Sequence, residues 1–245
     1  MKIETKKLKT ALDVLKPVVG RRNTLPVLSA VKIESSGKLL TLTASNLDEY
    51  ASESVECDEK LVAKCINFDD LYKSFGADEV SISQNGESIS VEFNNDGVKH
   101  PTMPVEDFPI TPKMDGAKKH GASCRDVGDG IDMVSWCASE DAGRYAIQAV
   151  RIESESNALS VVATDGNQLA KYETKIIGSK FDLNIPAAFG PRLAESLRRE
   201  GATLSSNENW IRVDHESGFY MCKQNDANYP NWRSVIPKEK TKLGT

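Results

Sequence analysis

Little in this sequence is suited to covalent chemistry. The 245 residues include only three histidines, His100, His120 and His215, each far from the next. A Ser-His-Asp device or a histidine-built metal centre therefore has little raw material. The five cysteines (Cys57, Cys65, Cys124, Cys137 and Cys222) are odd in number and scattered, with no C-x-x-C pair. That spacing supports neither a zinc site nor a disulfide framework and fits free thiols in a reducing compartment. Long apolar runs are missing too, since none approaches the roughly 20 residues of a membrane helix. The N-terminus, MKIETKKLKT, has charge but no apolar h-region of a secretory signal. The expectation is a cytoplasmic protein with no metal, no cofactor and no membrane partner. A basic excess is also lacking: 31 Lys and Arg stand against 36 Asp and Glu, a net charge of −5. Most nucleic-acid-binding domains are basic, so the average argues against that class. An average does not describe a surface, however, and one face can be basic while the rest is acidic.

What the chain does have is a repeat. Charged residues make up 27% and hydrophobic ones 39%, ordinary for a globular protein, and the length suits one large domain or two of common size. Val31-Lys32-Ile33-Glu34 recurs as Val150-Arg151-Ile152-Glu153. At the same offset, Leu39-Leu40-Thr41-Leu42-Thr43-Ala44-Ser45 matches Ala158-Leu159-Ser160-Val161-Val162-Ala163-Thr164. Each copy runs into a polar turn, Asn46-Leu47-Asp48 and Asp165-Gly166-Asn167, and nears its end at an aromatic-proline pair, Phe108-Pro109 and Tyr229-Pro230. The repeat unit is about 120 residues, close to the commonest domain size. The expected domains are residues 1–115 and 122–245, joined by the Pro-, Gly- and Lys-rich stretch Thr111–Gly121.

Both copies read alike. In the first, Leu8, Ala11, Leu12, Leu15 and Val18 fall on one helical face, with Thr5 as N-cap and Pro17 ending the helix. Alternation predicts strands over Val27–Ile33, Leu39–Ser45, Glu49–Val55 and Lys60–Cys65, then a short helix over Asn67–Phe75. Glu79–Ser83 and Ser88–Phe93 form a hairpin about Asn85-Gly86, and a last strand covers about Val98–Met103, where Pro101 marks an edge. The second copy predicts a helix over Ser123–Ala138, weakened by Gly128 and Gly130. Strands follow near Ala146–Glu153, Ala158–Thr164, Gln168–Thr174 and Phe181–Ile185, then a helix over Ala188–Arg199 and three more strands. The fold class is α+β, with antiparallel sheets outside and two helices per copy covering the inner face. Duplication then sets four helices in a row that can line an arc.

Charge follows the same division. The polar face of the first helix carries Lys6, Lys9, Asp13 and Lys16, with Lys2 and Lys7 nearby; the last helix adds Arg192, Arg198 and Arg199, and the linker Lys113, Lys118 and Lys119. Acidic residues gather on strands and turns, as at Asp48-Glu49, Glu53, Glu56, Asp58-Glu59 and Glu153-Ser154-Glu155. Cations on helices and anions elsewhere suit a surface that faces phosphates, although lysines on a helix face are commonly just solvated. Arg21-Arg22-Asn23-Thr24 occupies the loop after the first helix, where function concentrates as readily as plain solubilising charge.

These residues also carry a resemblance. Thr24-Leu25-Pro26-Val27-Leu28 after an arginine, with Leu42-Thr43-Ala44-Ser45-Asn46-Leu47-Asp48, resembles the first domain of the bacterial DNA polymerase III beta sliding clamp family. Ala138-Ser139-Glu140-Asp141-Ala142-Gly143-Arg144-Tyr145-Ala146-Ile147 and Val162-Ala163-Thr164-Asp165-Gly166-Asn167-Gln168-Leu169-Ala170 are similar to its second domain. Tyr229-Pro230-Asn231-Trp232-Arg233-Ser234-Val235-Ile236-Pro237 resembles that domain's end, so the similarity runs in order along essentially the whole chain.

The resemblance implies a non-enzymatic processivity factor, a ring of six such domains around double-stranded DNA that is held through phosphates without base readout. It places Arg22 and Tyr145 on DNA, and the basic helix residues would face the same hole. It implies as partners DNA polymerase III, other proteins carrying a clamp-binding motif, the clamp loader and further copies of the chain in a ring oligomer. It maps a peptide pocket to Ile147, Thr164, Gly166, Asn167, Gln168, Leu169, Pro230 and Val235, and a subunit contact to the strand of Val98. Apolar Ile147, Leu169, Pro230 and Val235 suit the hydrophobic side chains of a short peptide, with Thr164 and the Gly166 backbone for polar contacts. Three departures stand out. The family usually has His-Arg where this chain has Asn167-Gln168, which bears on peptide preference. Gly128 and Gly130 fall in an inner helix. The family has three domains per chain and this sequence two, with Lys238–Thr245 reading as the start of a next linker; a ring of two-domain chains would be a trimer. Two other readings compete: a repeat-built interaction scaffold that ignores DNA, and a hydrolase using Asp165 or the Glu140-Asp141 pair, for which no nucleophile or metal lies nearby in the sequence.

Overall fold

The computed structural model describes residues 1–20, 25–75, 78–93, 96–155, 157–175, 178 and 180–237. One order of elements occurs twice. The first half runs β1 (Lys2–Glu4), α1 (Thr5–Leu15), β2 (Ala30–Ser36), β3 (Leu39–Ser45), β4 (Glu49–Glu56), β5 (Lys64–Asn67), α2 (Phe68–Lys73), β6 (Glu79–Asn85), β7 (Ser88–Phe93) and β8 (Asp96–Met103). The second runs β9 (Lys118–His120), α3 (Cys124–Val134), β10 (Ala149–Glu155), β11 (Ala158–Thr164), β12 (Leu169–Lys175), β13 (Phe181–Pro186), α4 (Gly190–Leu197), β14 (Thr203–Ser206), β15 (Trp210–His215) and β16 (Gly218–Lys223).

All strand pairs are antiparallel. Twelve strands form one sheet in the order β1-β6-β7-β8-β5-β2-β3-β4-β16-β15-β14-β9, and β12-β11-β10-β13 form a second. The large sheet crosses from one half to the other at β4 and β16, where Ala51 pairs with Tyr220 and Glu53 with Gly218. Alternation sets the faces: Leu40, Leu42 and Ala44 of β3, and Val161 and Ala163 of β11, turn into the core. Leu8, Leu12 and Leu15 of α1 are fully buried against it, each contributing about 1.5–3 kcal/mol by removal from water.

The helices form the expected row. The Tyr72 hydroxyl of α2 donates to Asp13 of α1 at 2.6 Å. Lys6, Lys7 and Thr10 of α1 share a cleft of about 630 Å³ with Glu53 of β4 and Arg199 at the end of α4. α4 in turn lies against α3, where a Cβ on Gly128 would stand 3.1 Å from the Ala194 carbonyl oxygen. The sequence of neighbours is therefore α2, α1, α4, α3. Gly128 and Gly130, expected to weaken α3, leave it intact over its full length and set its depth instead. A Cβ on Gly130 would come within 2.5 Å of Val161 Cγ2 and 2.8 Å of Tyr172 Cδ1, so the helix rests directly on β11 and β12.

Several local expectations shift. Thr5 begins α1 but does not cap it: Glu4 is the N-cap residue, without a side-chain cap, and the buried Thr5 hydroxyl has no partner among the described residues. Pro26–Ser29 is a 3-10 turn led by proline, so β2 starts at Ala30 and not at Val27. The fourth strand lies over Lys64–Asn67, later than expected, and Asn67 caps α2 by accepting from the Asp70 N–H. Ser123 caps a shorter α3, and Ala142–Ile147 is a 3-10 turn ahead of β10. The short strands β1 and β9 were not foreseen; β9 lies within the expected linker. Pro101 ends an open stretch of edge: β8 pairs with β7 over Asp96–Pro101 and with β5 only at Thr102 and Met103, so Asp96–Pro101 has no partner on that second side among the described residues.

Candidate nucleic-acid and peptide interfaces

The cations of the helix row divide into two groups. Lys6 and Lys9 are exposed and Lys16 half-buried. Among the described residues no carboxylate forms an ion pair with any of the three; Lys9 and Lys16 instead lie over the Tyr72 ring, 5.7 and 4.7 Å from its centroid. Arg192 of α4 and Arg198 and Arg199 just past its end are committed within the chain. Arg192 Nε meets Glu49 Oε1 at 2.5 Å, Arg199 reaches Glu53 at 3.1 Å, and Arg198 holds Asp129 and Asp132 of α3 at 3.0 and 2.7 Å. Arg192 and Arg199 thus tie α4 of the second half to β4 of the first, and Arg198 ties α4 to α3. Sequence reading assigned all three to DNA, because their partners lie far off in the chain.

The junction these arginines hold is titratable. Burial raises the Glu53 carboxyl above its ordinary range, opposed by Arg199. Burial, then the Arg199 charge, lowers His215, whose Nε2 is 3.7 Å from Glu53. Arg22 lies outside the described residues, as does Lys238–Thr245. Tyr145 is half exposed in the 3-10 turn, its carbonyl accepting from Asn225 Nδ2 at 2.9 Å.

The predicted pocket centres on the turn between β11 and β12. Thr164 pairs with Leu169 across the hairpin. The Thr164 hydroxyl donates to the Gln168 carbonyl at 2.6 Å and accepts from the Gly166 N–H at 3.1 Å. Gly166 has φ +92°, a left-handed turn position, and a Cβ there would stand 2.8 Å from the Arg144 guanidinium and 3.9 Å from Ile147 Cδ1. Ile147, Thr164, Gly166 and Leu169 therefore share one corner, with Asn167 and Gln168 exposed at its rim. The Pro230–Val235 segment is fixed to the same sheet: Lys171 lies 5.3 Å over buried Trp232, and Arg233 pairs with Glu153. Val235 is 68% exposed, a large apolar side chain left facing solvent. Arg144, missed at the sequence level, covers the turn by donating to the Asp165 carbonyl at 2.9 Å.

In the first half the corresponding positions are covered. Leu28 and Tyr50, the counterparts of Ile147 and Leu169, are buried, and Tyr50 packs edge-on against Trp210 of the second half at 5.7 Å. The carboxylates of the hydrolase reading are turn residues. Asp141 accepts from the Gly143 N–H, and the N–H groups of Gln168 and Asn167 hold the Asp165 carboxyl below its usual range, the wrong direction for a general acid. Among the described residues no three His, Cys, Asp or Glu side chains gather as metal ligands, and no helix is long and apolar enough to cross a membrane.

Comparison with known proteins agrees with this architecture. Residues 1–112 match the family described as DNA polymerase III beta subunit, N-terminal domain. A beta sliding clamp of Caulobacter vibrioides is 26% identical over 99% of this chain and 70% of its own length. One from Rickettsia bellii is 23% identical over 96% of this chain and 66% of its own. Among solved structures, the DNA polymerase III subunit beta of Pseudomonas aeruginosa superposes with a TM-score of 0.88 at 23% identity, over 98% of this chain and 68% of that one. The Helicobacter pylori beta clamp bound to a DNA ligase peptide gives 0.85 at 18% identity, over 98% and 70%; both likenesses concern the fold. The duplicated sheet-and-helix order, the helix row and these matches agree: the chain is similar along its length to bacterial DNA polymerase III beta subunits, or beta sliding clamps, with the N-terminal domain of that family matched over residues 1–112.

Proposed function

We propose that this chain forms part of a ring that encircles duplex DNA and tethers the replicative polymerase to it, without catalysing a reaction itself. The observation that carries the reading is the β4–β16 joint. Superposing the hairpins β7–β8 and β15–β16 by register puts Asp96 at the position of Gly218 and Val98 at that of Tyr220. Superposing β3–β4 and β11–β12 puts Leu169 at the position of Tyr50. β8 is thus the counterpart of β16, and β12 that of β4. The chain has one joint made and one unmatched strand of each kind at its two ends. Such a head-to-tail interface builds a closed ring when its rotation closes. Val98, 41% exposed, is the proposed subunit contact.

The proposed units are residues 1–115 and 122–245, and six of them complete the ring. Lys6, Lys9, Lys16 and Tyr145 face the DNA and meet phosphates through exchanging contacts, so enclosure supplies retention while weak ionic contacts permit sliding; Arg22, outside the described residues, is a further candidate for DNA contact. The corner at Ile147, Thr164, Gly166, Leu169, Pro230 and Val235 takes a short peptide from polymerase III, the loader or other clamp-binding proteins, with Asn167 and Gln168 tuning the choice. The setting is the cytoplasm.

Two experiments test this. The assembled ring, loaded on circular DNA, stays bound in gel filtration and is released once the circle is cut; equal retention on both forms defeats the topological mechanism. Leu169→Asp is expected to weaken capture of a hydrophobic clamp-binding peptide by at least about 100-fold, roughly 2.8 kcal/mol, with the melting temperature unchanged. Undiminished peptide anisotropy would exclude this corner as the docking site.

A further inference from the structure

Resting on the proposed role of α1 in DNA contact, we infer that Tyr72 of α2 is a positioning residue that keeps Lys9 and Lys16 available to phosphate by seating both ammonium groups on its ring and holding Asp13 away from them. The sequence of α1 sets the problem. Asp13 stands four residues after Lys9 and three before Lys16, spacings at which a helix brings side chains together as ion pairs. Lys16 still has helical backbone angles, φ −49° and ψ −42°, so that geometry is open to it. A carboxylate between two lysines would neutralise the cations the track depends on.

Neither pair is present among the described residues. The Asp13 Oδ1 accepts the Tyr72 hydroxyl at 2.6 Å, and the ammonium groups lie 5.7 and 4.7 Å from the Tyr72 ring centroid. The ring is itself fixed, stacked on buried Phe68 one helical turn earlier at 5.4 Å and 21°. A ring face attracts an ammonium without cancelling its charge, and the donors not aimed at the ring stay free for phosphate oxygens. The hydrogen bond to Asp13, with burial and the Asp13 charge behind it, holds the phenol above its ordinary range, so the hydroxyl remains the donor. One side chain on α2 thereby organises three on α1.

The test measures binding of the whole chain to a short duplex DNA by anisotropy across a salt series. Tyr72→Leu is expected to weaken binding about fivefold and to lower the log–log salt slope by about one, with an unchanged thermal melt. Tyr72→Phe keeps the ring but frees Asp13, and weakens binding about twofold. Asp13→Asn should then tighten binding by a greater factor in the Tyr72→Phe background than in the unsubstituted chain, a coupling that a purely structural role for Tyr72 would not produce. Wild-type binding by both Tyr72 variants, alongside weak binding by the Lys9→Ala, Lys16→Ala double variant, overturns the inference alone. Wild-type binding by that lysine variant overturns the DNA reading of α1, and the inference with it.

Discussion

Arg192→Ala is expected to cost about 3–5 kcal/mol of folding stability, read as a lowered midpoint in urea denaturation. Arg192 answers Glu49, which is 2% exposed at the Cys222 end of the joint between the halves. The Glu49 Oε1 accepts from Arg192 Nε at 2.5 Å and from the Tyr220 hydroxyl at 2.5 Å, and its Oε2 accepts from Asn46 at 2.8 Å. Burial pushes the Tyr220 phenol far up its scale, so it stays protonated and donates. Deleting the arginine leaves a desolvated carboxylate with neutral donors only, and an unpaired buried charge is costlier than the net worth of the pair. Adding Glu49→Gln should recover part of the loss, because the amide still accepts from Tyr220 without a charge to compensate. Arg198→Ala breaks a half-exposed pair with Asp129 and Asp132 and is expected to cost under about 1 kcal/mol. Equal losses at Arg192 and Arg198 would show that Glu49 remains hydrated.

The same residues show what a sequence can and cannot reveal. Alternation in β3 and β11, the spacing of Leu8, Leu12 and Leu15, and the Asn85-Gly86 hairpin are local patterns, and they carried the α+β class and the helix row. The helix arginines failed as a guide to free charge because ion pairing is set by tertiary approach: Glu49 and Arg192 are joined by a strand crossing between halves, not by helical spacing. Gly128 and Gly130 misled for a related reason. Helix propensity counts them as weak, yet the close packing of α3 on α4 and β11 requires the missing side chains. Pro26–Ser29 shows tertiary context overriding a β-branched pattern, since proline at the start of a 3-10 turn delays β2. The proposed pocket was nameable only through resemblance, because nothing in a Thr-Asp-Gly turn announces that Val235 stays exposed and Leu169 half-buried. Arg144 had one faint signal, its i,i+3 spacing from Asp141, with which it pairs at 3.4 Å.

Gly218→Val should disrupt the joint from its backbone. Gly218 opens β16 and pairs with Glu53 of β4. A Cβ at this position would collide with the carbonyl oxygen of Ser52 and stand 2.7 Å from its carbon and 3.2 Å from the Glu53 Cα. These are backbone atoms, so no side-chain rotation relieves the clash, and β4 and β16 must separate. Separation would expose Ala51, Glu53 and Tyr220 together and strain the Arg199–Glu53 pair that closes the same end of the joint. The expected cost is about 3 kcal/mol or more, accompanied by loss of the single cooperative unfolding transition, since the β4–β16 ladder is the sheet connection between the halves. Asp96→Val is the matched control. It occupies the same register position on β8, whose far side has no partner over Asp96–Pro101 among the described residues, and its effect on this chain should stay within about 0.5 kcal/mol. If calorimetry finds the two substitutions equally tolerated, the halves are held by their helices and not by the continuous sheet.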